Sequence, residues 1–329
     1  MPERQQDRKL DRLVDLLVEN AMVVLSGTKI ASELRVPHST LGEWMDRLRD
    51  LGVEVRGFPG SGYQMVRLPD IPTAGAVRSH LSGSRFGTRI QHSFSIDSTM
   101  SEGARLAAKG APEGTLVVAE EQTAGRGRFG RHWHSERASG LYCTLVLRPS
   151  VAPSMAPVLT LLAGVSVAEA IQEASQTAVD LRWPNDVLIN EKKCAGILVE
   201  MTAEPLRISH VLIGIGINVN HVLIPAELAE EATSLRLQAG RAFSRLELLI
   251  SVLKRLEYYY NRFLDHGAAG IIARFEEISS YARGRRVQVT DGGSAVSGMT
   301  EGLTPEGILL VRREDGKLEK VLSGQVRPA

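Results

Sequence analysis

The hydrophobic residues of this chain change their period along its length, and one core layer cannot satisfy all of the periods. Up to about residue 50 they recur every three or four positions. Leu10, Leu13, Val14, Leu17 and Val18 share a face of a predicted helix over residues 9 to 19, and Ile30, Ala31 and Leu34 suit a short second helix. After the break at Val36–Pro37, Leu41, Met45 and Leu48 make a third helix that stops at Gly52. Val53 to Val55 then alternate as a strand, and "RGFPGSGYQMV" supplies a Gly/Pro turn and a returning strand.

Three helices followed by a two-stranded ribbon look like a winged helix-turn-helix. Residues 67 to 85, "RLPDIPTAGAVRSHLSGSR", hold two prolines and two glycines and put a domain boundary near residue 70. Beyond it the strand-like runs "TLVVAEE", "LYCTLVLR", "DVLIN", "CAGILVEM" and "ISHVLIGIGINV" alternate with predicted helices over 98 to 109, 157 to 175 and 244 to 265. From Gly284 short strands split by "DGG", "TPEG" and "EDG" read as a small β-barrel. The 329 residues exceed one typical core. The fold expected is α/β (α+β) and multidomain: 1–68, a central mixed-sheet domain over 69–283, and a barrel over 284–329.

A net charge of +1 gives no global pull towards nucleic acid or membrane, so any such affinity must be local. Cys143 and Cys194 have no metal-ligand spacing, which suits a reducing cytoplasm and neither a disulfide framework nor a zinc site. The start "MPERQQDRKLDR" is no signal peptide. The longest uncharged run is broken by Pro153 and Pro157. It leaves about 11 apolar residues against the ~20 that span a bilayer, so a buried helix and no membrane partner are expected.

Three stretches carry chemistry. "GRGRFGR", residues 125 to 131, sets Arg126, Arg128 and Arg131 on glycine hinges, which suits phosphate or another anion. The residues alone equally allow a solvated or RNA-binding basic loop. "RWPNDVLINEKKCAGILVEM" places Asn185 and Asp186 at a turn and Lys193 at the start of the next strand. An amide, a carboxylate and a lysine make a nucleotide set, or an ordinary hairpin. "GIGINVN", residues 214 to 220, is a strand whose glycines permit close approach of a ligand, or only a strand with a bulge.

Together with "DSTM" (97–100), "EQTAGRGRFGRHW" (121–133), "RWPNDV" (182–187), "KCAGILVE" (193–200) and, more weakly, "ATSL" (232–235), these stretches resemble the bifunctional biotin–protein ligases that also act as biotin-operon repressors. Order and spacing agree over nearly the whole chain. The resemblance implies ATP, Mg²⁺ and biotin as ligands, a biotin carboxyl carrier protein and operator DNA as partners, a homodimer, and an SH3-like C-terminal barrel. It implies that Ser98, Thr99, Gln122 and Gly125 line the biotin ureido end, with Met100, Gly127 and Gly214 beside them. Arg126 and Arg128 would meet carboxylate and phosphates, Arg131 the leaving pyrophosphate, and Trp133 would wall the site. Asn185 and Asn218 would read adenine, Asp186 would hold Mg²⁺, and Lys193 would bridge carboxylate and α-phosphate. Arg126, Arg128 and Lys193 are the catalytic candidates.

The chain departs from the family's common "DSTN" at Met100 and from its usual aliphatic at Cys194. In the helix-turn-helix, His38, Ser39, Thr40 and Glu43 would face a groove, with Arg35, Arg47, Arg49 and Arg56 as phosphate contacts. Residues 1 to 66 nevertheless carry nine Lys/Arg against ten Asp/Glu, so that domain has no net cationic footprint. It is a DNA reader, or a retained domain that only supports the ligase. Two other classes compete: a ligand-sensing transcription factor without ligase activity, and a lipoate-attaching enzyme of similar fold.

Overall fold

The computed structural model describes residues 3–205, 207–291 and 294–329; the expected "DGG" turn at Gly292–Gly293 lies outside the described residues. The first unit contains α1 (Glu3–Glu19), α2 (Gly27–Leu34) and α3 (Leu41–Asp50), then β1 (Val55–Phe58) and β2 (Gly62–Met65). Ser26 caps α2, its hydroxyl accepting from Lys29 N, and Arg35 closes that helix in a left-handed conformation (φ 51°). His38–Thr40 form a single 3₁₀ turn ahead of α3. The apolar positions read from the sequence share one core, including Leu13, Ile30, Met45 and Leu48. The first strand starts at Val55, two residues later than expected, and pairs antiparallel with β2.

The Pro/Gly-rich stretch where a domain boundary is expected is fastened to the first helix. It holds α4 (Ala74–His80), whose N-cap Thr73 accepts from Ala76 N and donates to Asp15 of α1 at 2.5 Å. Ile71 and Phe94 also pack into the core of the N-terminal unit.

The central sheet has seven strands: β3 (Arg89–Ser93), β4 (Thr115–Ala119), β5 (Gly140–Leu147), β6 (Asp180–Arg182), β7 (Asp186–Ile189), β8 (Lys192–Glu204) and β9 (Arg207–Asn218). Their order is β3-β4-β5-β9-β8-β7-β6, parallel only between β3 and β4. Period-2 alternation sorts the side chains. Leu141, Cys143, Ile197, Ile213 and Ile215 point into the main core with α6 (Ala156–Ser175) and α8 (Arg245–His266). Val146, Leu198 and Leu212 belong to a second, smaller cluster with Met100 and Ala107 of α5 (Thr99–Ala108). Two short helices, α7 (Leu235–Ala239) and α9 (Ala269–Ile278), complete the layer. The sequence reading gave α5, α6 and α8 within a residue or two and missed α4, α7, α9, β3 and β6. By length and composition α6 could cross a membrane, but it is the buried helix of the main core.

The last five strands, β10 (Arg283–Asp291), β11 (Ser294–Leu303), β12 (Leu309–Arg312), β13 (Leu318–Val321) and β14 (Gln325–Pro328), form one antiparallel sheet in the order β13-β12-β11-β10-β14. Val287, Val289, Leu309, Val311 and Val326 are continuous with the main core. This sheet is therefore seated on the central one and brings its final segment to the site described next.

Candidate active site

A cavity of about 220 Å³ opens over the β8–β9 hairpin. Its floor follows from alternation. Gly214 and Gly216 on β9 pair with Leu198 and Gly196 on β8, and all four line the cavity. The indole of Trp133 lies against the glycine pair: a Cβ added at Gly216 would come within 2.5 Å of it, and one at Gly196 within 2.9 Å. Much of the glycine in "GIGINVN" and "KCAGILVE" thus makes room for an aromatic wall. Gly214 leaves space for Met100, whose sulfur would meet a Cβ there at 2.6 Å. Met100 is buried among Ala107, Val146 and Leu212, so an apolar side chain suits its surroundings.

At one end the polar groups form a chain. Thr99 N and Oγ1 donate to Gln122 Oε1 (2.9 and 3.1 Å), Thr144 Oγ1 donates to Thr99 Oγ1 (2.9 Å), and Gln122 Nε2 donates to Ser135 Oγ (3.0 Å). Buried Gly125 fits beneath the Trp133 carbonyl. The Ser98 hydroxyl and the Trp133 indole N–H are buried without partners among the described residues. Such groups cost free energy unless something completes them, and Trp133 lines the cavity, where a polar ligand would reach its N–H.

At the other end Asp186 is clamped between cations, Lys193 Nζ on Oδ1 at 2.5 Å and Arg182 Nη2 on Oδ2 at 2.8 Å. Burial alone would raise the Asp186 carboxyl, but the two cations outweigh it and hold it below the usual range. Among the described residues no group of three His, Cys, Asp or Glu could hold a metal. With both oxygens facing cations, Asp186 is the counter-ion that positions Lys193. The residues present do not build a Mg²⁺ site by themselves, and the ion fits only as the companion of nucleotide phosphates.

The arginine loop folds over this cavity as a tight hairpin, with Arg126 bridged to His132 and Gly127 N donating to Arg131 O at 2.8 Å. Phe129 (φ 57°) and Gly130 (φ 71°) make its left-handed tip. Arg126 pairs with Glu200 at 2.5 Å. Arg128 donates to Asn185 Oδ1 (3.0 Å), Gly324 O (3.2 Å) and Ser323 Oγ (3.0 Å), and Arg131 donates to Gln325 Oε1 (2.7 Å). Burial lowers the Arg128 guanidinium from its ordinary value. Asn185 also donates to Ile197 O and Asn218 to Thr233 O. Each end of the Asn185 amide is thus engaged once, which leaves one lone pair and one N–H for a base edge.

Every catalytic, biotin, adenylate and metal candidate from the sequence converges here, although Ser98 and Gly125 lie behind the lining. Arg182, Glu200, Ser323, Gly324 and Gln325 were missed. Arg182 stands inside a quoted motif, and Glu200 shares the face of Gly196 and Leu198 at period 2. Cys143 and Cys194 are buried, and burial pushes both thiols up to about 12, which leaves them inert. His132 and His134 are exposed at the rim. In the N-terminal unit Arg35, His38, Ser39, Arg49 and Arg56 are exposed and Thr40 is half-buried. Arg47 turns towards Asp7 at 3.7 Å, and Arg49 pairs with Asp46.

Residues 94–218 match the model of the biotin/lipoate A/B protein ligase family, and residues 283–326 match that of the biotin protein ligase C-terminal domain. The bifunctional ligase/repressor BirA of Bacillus subtilis is 36% identical over 95% of this chain and 97% of its own. The chain belongs to the biotin protein ligase family. BirA of Escherichia coli is 27% identical over 92% of both chains. The biotin protein ligase of Aquifex aeolicus, solved in complex with biotin and ATP, superposes at a TM-score of 0.64 with 32% identity, covering 74% of this chain and all of that one.

Proposed function

We propose that the chain joins biotin to Mg-ATP as biotinyl-5′-AMP and passes the biotin to a lysine of a biotin carboxyl carrier protein. The observation that carries this reading is the convergence, over one floor, of the arginine loop, the Lys193–Asp186–Arg182 clamp and the buried polar chain of Thr99 and Gln122. In the first step a biotin carboxylate oxygen attacks the α-phosphorus and pyrophosphate leaves. Two anions must approach, so cations that neutralise the crowding lower the barrier most. Lys193, Arg126 and Arg128 fill that role, with Arg131 towards the pyrophosphate. Ser98, Thr99, Gln122 and Gly125 hold the ureido end beside Met100, Gly127 and Gly214, and Asn185 and Asn218 meet adenine. Mg²⁺ enters with the nucleotide. In the second step the acceptor amine, having lost a proton, attacks the acyl carbon and AMP departs.

Biotin-dependent exchange of pyrophosphate into ATP, followed by a mass gain on a carrier domain, tests this. Exchange without biotin, or with lipoate in preference, would reject it. Gly216→Ala drives a methyl into the Trp133 ring and should lower kcat/KM for biotin by roughly 10- to 100-fold, the scale of a displacement near 1 Å. Unchanged kinetics would show that the ring is free to move aside.

The chain also acts as a biotin-responsive repressor, by the reading that residues 1–68 form a winged helix with β1–β2 as the wing, ahead of a ligase domain (69–283) and an SH3-like barrel (284–329). His38, Ser39 and Thr40 precede α3 at the surface, with Arg35 and Arg56 placed for phosphates. Arg47, turned to Asp7, is the weakest of the assigned DNA contacts. With no cationic excess in residues 1 to 66, tight binding needs two copies on one operator, hence a homodimer. A mobility shift on DNA upstream of biotin genes that strengthens with biotin supports this; no shift at low salt refutes it.

A further inference from the structure

The arginine loop is held from the far end of the chain. Ser323 Oγ and Gly324 O accept from Arg128, and Gln325 Oε1 accepts from Arg131. Beside them Arg327 pairs with Glu231 at 2.7 Å, and the Glu231 carbonyl accepts from Lys193 N, also at 2.7 Å. The mount is rigid. Gln325 and Val326 pair with Thr290 and Val289 of β10, Val326 is fully buried, and a Cβ at Gly324 would strike Val289 at 2.6 Å. Gly324, Gln325 and Val326 line the same cavity as Lys193.

The chemistry of these acceptors is informative. All three are neutral: a hydroxyl, a carbonyl and an amide oxygen. A guanidinium has five N–H donors, so neutral acceptors can hold some of them while the rest, and the full charge, stay available to a carboxylate or phosphate. A catch of this kind holds the loop down without withholding its charge from an anion in the cavity. Carboxylates at the same positions would compete with the substrate for the arginines.

We propose that Ser323 and Gln325 are positioning residues that keep the arginine loop closed over the acyl-adenylate, so that the C-terminal sheet sets how long the intermediate is retained. This rests on the ligase reading above. Once the loop lifts, the mixed anhydride escapes to acylate any lysine amine, releasing AMP, or meets water at its acyl carbon and returns biotin and AMP.

The full-length protein with biotin, Mg-ATP and no carrier reports the leak as AMP released per adenylate formed, and albumin added to the mixture reports stray biotinylation. The Ser323→Ala/Gln325→Ala double variant should raise the leak-to-formation ratio by about tenfold or more, the scale of lost hydrogen bonds to a charged group. Ser323→Thr keeps the hydroxyl and should stay near wild type. Gln325→Glu gives Arg131 a charged acceptor and should leak less than wild type while turning over more slowly. An unchanged ratio in the double variant would overturn the proposal. So would equal leaks from Gln325→Glu and Gln325→Ala, which would mean a disturbed sheet rather than a lost catch. If the wild type makes no biotin-dependent adenylate, the ligase reading itself fails and this proposal falls with it.

Discussion

Lys193→Ala is expected to remove biotin-dependent pyrophosphate exchange, with a loss of roughly 10²–10³ or more, while the protein melts within a few degrees of wild type. Removing one preorganised donor from developing transition-state charge costs about that much. Lys193 stands at the start of β8, its ammonium 2.5 Å from Asp186 and 5.4 Å from the centre of the Trp133 ring, so it faces the cavity from a fixed place. The fold should survive for two reasons. The side chain is partly exposed, and Asp186 keeps Arg182 as its partner, so no buried charge is orphaned. Lys193→Arg keeps the charge but brings a wider, planar fork against the indole, and should recover little. Exchange within threefold of wild type for Lys193→Ala would take the residue out of the chemistry.

What could be read from sequence alone was what local spacing controls. The three N-terminal helices, the long strands of the β8–β9 hairpin and the arginine loop are set by periods and turn residues within about twenty positions. The helix α4 was hidden because Pro69, Pro72 and Gly75 read as a linker, whereas Thr73 is held by Asp15, 58 residues earlier. The strand β3 is short and at the edge, with only part of its surface buried, so its pattern is weak. In the site, the arginines announced themselves by composition. Their catch did not: Ser323 and Gln325 are neutral, unremarkable residues almost two hundred positions away. The partners of Asp186 were equally hidden: its motif announces a carboxylate, but only the fold puts Lys193 and Arg182 on its two oxygens.

The largest stability effect is expected at the junction of α1 with the central sheet, for Asp11→Ala. His92 on β3 is buried, with Nδ1 2.6 Å from Asp11 and Nε2 3.4 Å from Glu120. Glu120 in turn takes Arg245 at 2.8 Å, and Arg245 also pairs with Asp70 at 3.2 Å. Burial by itself would push the imidazole down from its ordinary 6.5. The carboxylates of Asp11 and Glu120 outweigh it and hold His92 at about 10, so the ring is charged in the folded protein. Burial likewise pushes Glu120 up, and Arg245 and His92 more than reverse it. Deleting Asp11 leaves the buried cation with only its more distant partner, which costs about 3–5 kcal/mol and lowers Tm by on the order of 10 °C. The pH dependence has a definite sign. Raising the His92 value makes its contribution complete below 6.5 and progressively lost as pH climbs towards 10. Lowering the Glu120 value makes its contribution present above the usual ~4.3 and lost as pH falls through that range. Wild-type stability should therefore be greatest between those limits, and in Asp11→Ala the alkaline decline linked to His92 should be smaller and end at lower pH. Because Glu120 lies two residues before Gln122, the same variant should also raise KM for biotin. Thermal melts from pH 5 to 10 on both proteins decide the matter. If the variant melted within 2 °C of wild type with the same alkaline limb, the junction would be a contact without energetic consequence, and α1 would be free to move independently of the ligase.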